Sequence, residues 1–127
     1  MKHLVLALLT LITISSCEKR CDPSNPSIIG EWAWRKSEGG ISGGTITPET
    51  AGENIKVIIT RDSTYKEYLN NKLIANSEFH LAFDLNTGHP YLKFTGLMNQ
   101  NLDHVDCDVL ILTDRAADGY KKSYIRK

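Results

Sequence analysis

I-K-V-I-I-T-R-D-S-T-Y-K-E-Y-L-N-N-K-L-I-A-N-S-E-F-H-L-A-F, residues 55 to 83, is the stretch on which the fold turns. Ile55, Val57 and Ile59 fall on one face and Lys56, Ile58 and Thr60 on the other, the period of two that a half-buried strand requires. Arg61-Asp62-Ser63 reads as a tight turn into a second strand from Thr64 to Leu69. Asn70-Asn71 is a two-residue hairpin signal, because asparagine tolerates positive φ. A third strand from Lys72 to about Phe83 sets Phe79, Leu81 and Phe83 on one face. Three strands joined by two tight turns form an antiparallel meander.

The same alternation extends outward in both directions. Upstream, Gly30, Trp32 and Trp34 share one face and Glu31, Ala33 and Arg35 the other. Downstream, Asp84 to Gly88 carries turn chemistry, Tyr91 to Thr95 is strand-like, and Leu97 to His104 holds a short strand with a loop. Cys107 to Thr113 is a strong β run, Asp118-Gly119 a turn, and Tyr120 to Arg126 a closing strand. Seven to eight short strands with no clear helix predict an all-β, small antiparallel up-and-down barrel or a sandwich, and closure into a barrel removes exposed edges. One segment breaks the pattern: Ser37 to Glu53 carries five glycines and one proline and reads either as a flexible connection or as a lid or binding loop.

The N-terminal residues follow another logic. Lys2 and His3 precede an uncharged apolar run from Leu4 to Ile14 and the small residues Ser15 and Ser16, the layout of a secretory signal peptide over residues 1–16. That run is shorter than the roughly 20 apolar residues needed to span a bilayer. Ile14-Ser15-Ser16-Cys17 resembles the lipobox of bacterial lipoproteins, which implies acylation of Cys17, palmitate included, and a stable membrane anchor. Residues 17–27, with E-K-R-C-D-P-S-N-P-S after the cysteine, then form a polar lipidated tether, and residues 28–127 the domain. Glu18 is not the aspartate that favours inner-membrane retention in lipoproteins, so the expected location is the outer membrane of the cell envelope.

Without residues 1–16 the chain has 111 residues, with 14 Lys and Arg against 15 Asp and Glu. That length supports one domain with a modest core, and the scattered, near-neutral charge offers no footprint for nucleic acid. With Cys17 acylated, Cys21 and Cys107 remain as an even pair in a compartment where disulfides persist. Sequence alone leaves open whether they join.

Gly30-Glu31-Trp32 matches the G-x-W that opens the first lipocalin strand, and Gly39 to Pro48 resembles the glycine-rich first loop of small bacterial lipoproteins. Asp108 to Leu112 and the closing Tyr124-Ile125-Arg126-Lys127 are similar to the last two strands of the same lipocalin-like domain. The resemblance covers residues 28–127 and implies a barrel of seven to eight strands closed at one end by Trp32 with Arg126 laid over it. The physical basis is cation–π attraction plus satisfied carbonyls. It further implies that Trp34, Val57, Ile59, Phe79, Leu81, Phe94, Leu110 and Leu112 line an apolar pocket; the alternative is that they fill a solid core.

Catalytic motifs are absent: there is no G-x-S-x-G, H-E-x-x-H, phosphate-binding loop or dinucleotide fingerprint. Cys107 and His104 would fall on opposite faces of a strand, which disfavours a thiolate–base pair. His104, Asp106 and Asp108 share strand parity, but three such ligands specify no metal. The sequence therefore predicts a non-enzyme without cofactor or metal: a membrane-anchored, lipocalin-like lipoprotein binding a small hydrophobic ligand. The alternative is a structural or protein-interaction module with a filled barrel.

Overall fold

A computed structural model describes residues 21–127. The expected signal peptide and the acylated Cys17 lie outside the described residues. Nine strands are present among the described residues: β1 (Gly30–Gly39), β2 (Gly44–Ile46), β3 (Ile55–Ile59), β4 (Thr64–Leu69), β5 (Lys72–Phe83), β6 (Pro90–Phe94), β7 (Gln100–Val105), β8 (Val109–Asp114) and β9 (Tyr120–Arg126). All pairings are antiparallel, consecutive from β3 to β9, and β9 returns to pair with β1. Eight of these strands close a barrel, and the three-residue β2 lies on the upper half of β1.

Local chemistry sets the turns. Asn70 and Asn71 take φ of 48° and 68°, so the β4–β5 hairpin has the positive-φ pair that matches strand twist. The Asp84 carboxylate accepts from the backbone N–H of Asn86 and Thr87 at 2.9 and 3.0 Å, holding the β5–β6 turn. Since strands alternate in direction, the start of β1, the turns at 60–63, 84–89 and 106–108, and the C-terminus share one end, here termed the base. The β1–β3 connection, the Asn70-Asn71 turn, and the turns at 95–99 and 115–119 rim the other end, the mouth.

Trp32, Trp34, Val57, Ile59, Tyr65, Phe79, Leu92, Phe94, Leu110, Leu112 and Tyr124 form one buried cluster along the barrel axis. Seven of the eight residues expected around an apolar pocket thus belong to a packed core. Leu81 does not: its side chain is 48% exposed. It shares the inward face with Phe79, but the last β4 partner of β5 is Glu78, so β5 runs on past β4 and Leu81 and Phe83 project beyond that wall. Strand parity was right, and wall length decided the burial.

Ser37 to Glu53 is also more ordered than its glycines suggest. Ser37 to Gly39 continue β1, Gly44–Ile46 pair back on them, and Pro48–Ala51 form one helical turn, α1. Thr47 caps that turn reciprocally with Thr50, and Gly52 ends it in the left-handed region at φ 67°.

The ladders differ in length. β1 and β9 share seven registered pairs, whereas β6 and β7 share two, Tyr91↔Asn101 and Leu92↔Gln100. Side chains reinforce that seam from outside. Arg115 donates to Asp84 at 2.9 Å and to Asn101 at 2.9 Å and lies over Tyr91, while His89 meets Asp103 at 3.0 Å.

Candidate functional site at the barrel mouth

The base is built to stay shut. Arg126 lies over Trp32 and donates Nε to Cys107 O at 2.7 Å, Nη1 to Ile29 O at 2.9 Å and Nη2 to Ser27 O at 2.8 Å. Trp32 Nε1 donates to Ile28 O at 2.8 Å. Gly30 has φ 143°, and a Cβ there would stand 2.5 Å from Arg126 Nη1, so both backbone and neighbour require glycine. Cys21 and Cys107 are joined by a disulfide with Cα atoms 5.4 Å apart, which answers the question the sequence left open. In that bond Cys107 has no thiolate, which removes the Cys–His nucleophile. His104 instead hydrogen-bonds Asp106 at 2.8 Å, and Asp106 also accepts from the N–H groups of Asp108 and Val109. No group of three His, Cys, Asp or Glu side chains among the described residues could hold a metal ion.

The mouth is of different chemistry. A cavity of about 210 Å³ opens there between Tyr65, Glu67, Ala75, Phe94, Leu97, Met98, Gln100, Asp114 and Lys122. The period of two places the strand residues of this set on the inward face, above the apolar core. Phe94 meets Tyr65 edge-on, ring centroids 4.8 Å apart, which forms an aromatic wall. Asp114 Oδ1 accepts from Lys122 Nζ at 2.9 Å and from Gln100 Nε2 at 3.0 Å, and Tyr65 donates to Glu67 at 3.2 Å.

Burial, first of all, and then the charges of Glu67 and neighbouring groups raise the hydroxyls of Tyr65 and Tyr124 above the usual phenol range. Both therefore stay protonated, and Tyr65 is the one that donates, to Glu67. The cavity holds two carboxylates against one ammonium, so its excess charge is negative.

One polar atom in this wall stands unsatisfied. Gln100 is 7% exposed, and its Oε1 has no hydrogen-bond partner among the described residues. Turning the amide over would set its carbonyl against the Asp114 carboxylate, so the pair with Asp114 fixes Oε1 as the free acceptor. A buried acceptor without a donor costs about 1–3 kcal/mol, which makes its presence informative.

Sequence reading passed over these polar positions, although parity exposes them. Asp114 follows Leu110 and Leu112 at steps of two, and Lys122 precedes Tyr124 in the same way. A second, larger groove of about 720 Å³ on the outer wall includes Asp84, His89, Asn101, Asp103, Thr113 and Arg115. Its polar side chains have partners, Arg115 with Asp84, His89 with Asp103 and Asp114 with Lys122, so it presents no comparable free acceptor. No protein-family model, no curated protein and no solved structure matches the chain.

Proposed function

We propose that this protein is a lipid-anchored, lipocalin-like binding module of the cell envelope, without enzymatic activity, and that its ligand sits in the mouth of the barrel. The observation that carries the reading is the orphan acceptor, Gln100 Oε1, buried in the wall of a mouth cavity. Pockets for drug-sized ligands run to about 300–1,000 Å³, so a cavity near 210 Å³ suits a smaller molecule. The fitting ligand is compact and amphipathic: a neutral or cationic head that tolerates Glu67 and draws the Gln100 side chain toward the cavity to accept from it, and a short apolar part against Phe94, Leu97 and Met98. This narrows the hydrophobic ligand expected from the family resemblance, because the deeper apolar residues are occupied with packing against one another.

Short primary alkylamines and alkanols, titrated into the Cys17→Ser protein, test this. Saturable shifts of the Gln100 side-chain amide resonances, absent in Gln100→Leu, are expected. If no probe moves them, the ligand reading falls.

A second reading has its own support. The packed core favours a barrel that serves as a scaffold, with the connection between β1 and β3 presenting the fully projecting Ile41 to a protein of the envelope. Removing residues 40–43 would then abolish capture of that partner and leave probe binding intact.

The anchor has a direct test. The wild-type chain is expected to incorporate labelled palmitate and to fractionate with the outer membrane, Cys17→Ser to do neither, and Cys107→Ser to remain acylated. Wild-type protein that is unlabelled and soluble would sink the anchored reading.

A further inference from the structure

The disulfide does more than brace the base, because it fixes where the chain leaves the domain. Cys21 is bonded to Cys107 in the β7–β8 turn, and residues 22–29 then cross the base under Arg126, which donates to the carbonyls of Ser27 and Ile29. Cys21, the first described residue, therefore sits at the base, the end opposite the mouth. Four residue steps separate Cys21 from Cys17, at most about 14 Å of fully extended chain.

At the same end stands an apolar hairpin. β5 extends past its last β4 partner, Glu78, and the β5–β6 turn carries Leu85 with its side chain fully exposed, next to Phe83 at 61% and Leu81 at 48% exposure. Exposure by itself does not choose an orientation, since Ile41, Ile74 and Met98 are exposed near the mouth. The tether makes the choice. Nor is charge the attraction: Asp22, Asp62, Asp84, Asp106 and Asp108 at the base outnumber Arg61, Arg126 and Lys127.

We infer that the base is a lipid-facing surface: with Cys17 acylated, as the proposed function holds, the β5–β6 hairpin enters the interfacial layer through Leu81, Phe83 and Leu85, and the mouth points away from the bilayer. Apolar side chains at the end of a short tether are held at high local concentration beside the acyl boundary, so partition follows without a large area of its own. The mouth cavity then opens to the aqueous compartment, which suits a ligand arriving from solution.

The full-length protein, produced in a bacterial host and reconstituted into phosphatidylcholine vesicles with brominated acyl chains, provides the test. Leu85→Trp and Ile41→Trp add a reporter at the base and at the mouth, both at exposed positions where the barrel is undisturbed, over the constant emission of the buried Trp32 and Trp34. The expected result is a blue shift and loss of the added emission for Leu85→Trp, and neither for Ile41→Trp. Quenching of Ile41→Trp in its place, or of neither variant in protein that carries palmitate, overturns the inference while leaving the anchor intact. Protein without palmitate in either variant overturns the anchor and the orientation together, and the label alone tells that case apart.

Discussion

The guanidinium carbon of Arg126 stands 4.2 Å above the ring centroid of Trp32, and the three nitrogens of the same group each reach a different carbonyl. A planar fork can do both at once, and an ammonium cannot. Arg126→Lys is therefore expected to lower unfolding free energy by about 2 kcal/mol, from the lost stacking and at least one lost hydrogen bond. Urea denaturation at neutral pH measures it. A change indistinguishable from zero would mean that the stacking carries no net stability.

Gly30→Ala adds a methyl at φ 143° against Arg126 Nη1. The loss is expected at roughly 1–3 kcal/mol from backbone strain, with the clash in addition. Combined with Arg126→Lys the two losses should sum to less than their separate values, because removing the guanidinium relieves the clash. Strict additivity in a double-mutant cycle would count against the contact.

The Cys21–Cys107 bond closes a loop with a sequence separation of 86. Loop-closure entropy for that length corresponds to about 4–5 kcal/mol on the chain-entropy account. Cys21→Ser with Cys107→Ser should melt well below the oxidised protein and match wild type under reductant. Equal melting temperatures with and without reductant would refute it.

Asp106 is held down to about 2, from 3.8, first by its hydrogen bond with His104 and then by the N–H groups of Asp108 and Val109. Its folded value lies below its unfolded one, so its contribution is fully present above about pH 4 and is lost as pH falls toward 2. Asp84 acts in the same direction, lowered chiefly by Arg115. Melting temperature followed from pH 5 to pH 2 should fall, and Asp106→Asn should flatten the fall. An unchanged slope in Asp106→Asn would place the acid sensitivity elsewhere.

Gln100→Leu removes an acceptor that nothing satisfies, but also a donor to Asp114, which keeps Lys122. The two effects oppose, each of about 1–2 kcal/mol, so stability is expected to change by less than about 1 kcal/mol. Loss of probe binding at unchanged melting temperature is the outcome that separates a binding role from a structural one. A large destabilisation would make Gln100 a structural residue.

Much of the architecture was legible because it rests on local rules. Alternation at Ile55, Val57 and Ile59 and the Asn70-Asn71 turn require no knowledge of distant residues. Leu81 was misplaced because burial depends on how far β4 reaches, a property of another strand. The order between Ser37 and Glu53 was hidden because β2 exists only where β1 outlasts β3. The Cys21–Cys107 bond depends on where the barrel's base brings two turns, which no spacing encodes. The mouth site was half legible: parity gives the inward face of Asp114 and Lys122, but only the packed arrangement reveals that Gln100 lacks a donor.

The two-pair ladder between β6 and β7 gives the barrel a preferred line of opening. Elsewhere its staves are joined by five or more backbone pairs apart from the short upper meeting of β1 with β2 and the four pairs of β1 with β3, whereas here carboxylate, imidazole and guanidinium groups supply much of the junction. Backbone ladders are nearly indifferent to ionic strength, and exposed ion pairs are not. Amide hydrogens of Tyr91, Leu92 and Asn101 should therefore exchange through local opening that salt accelerates, while those of β1 and β9 wait for global unfolding. The cylinder is in this sense a zipper with one ionic clasp, and its breathing is tuned by the solution in which it stands.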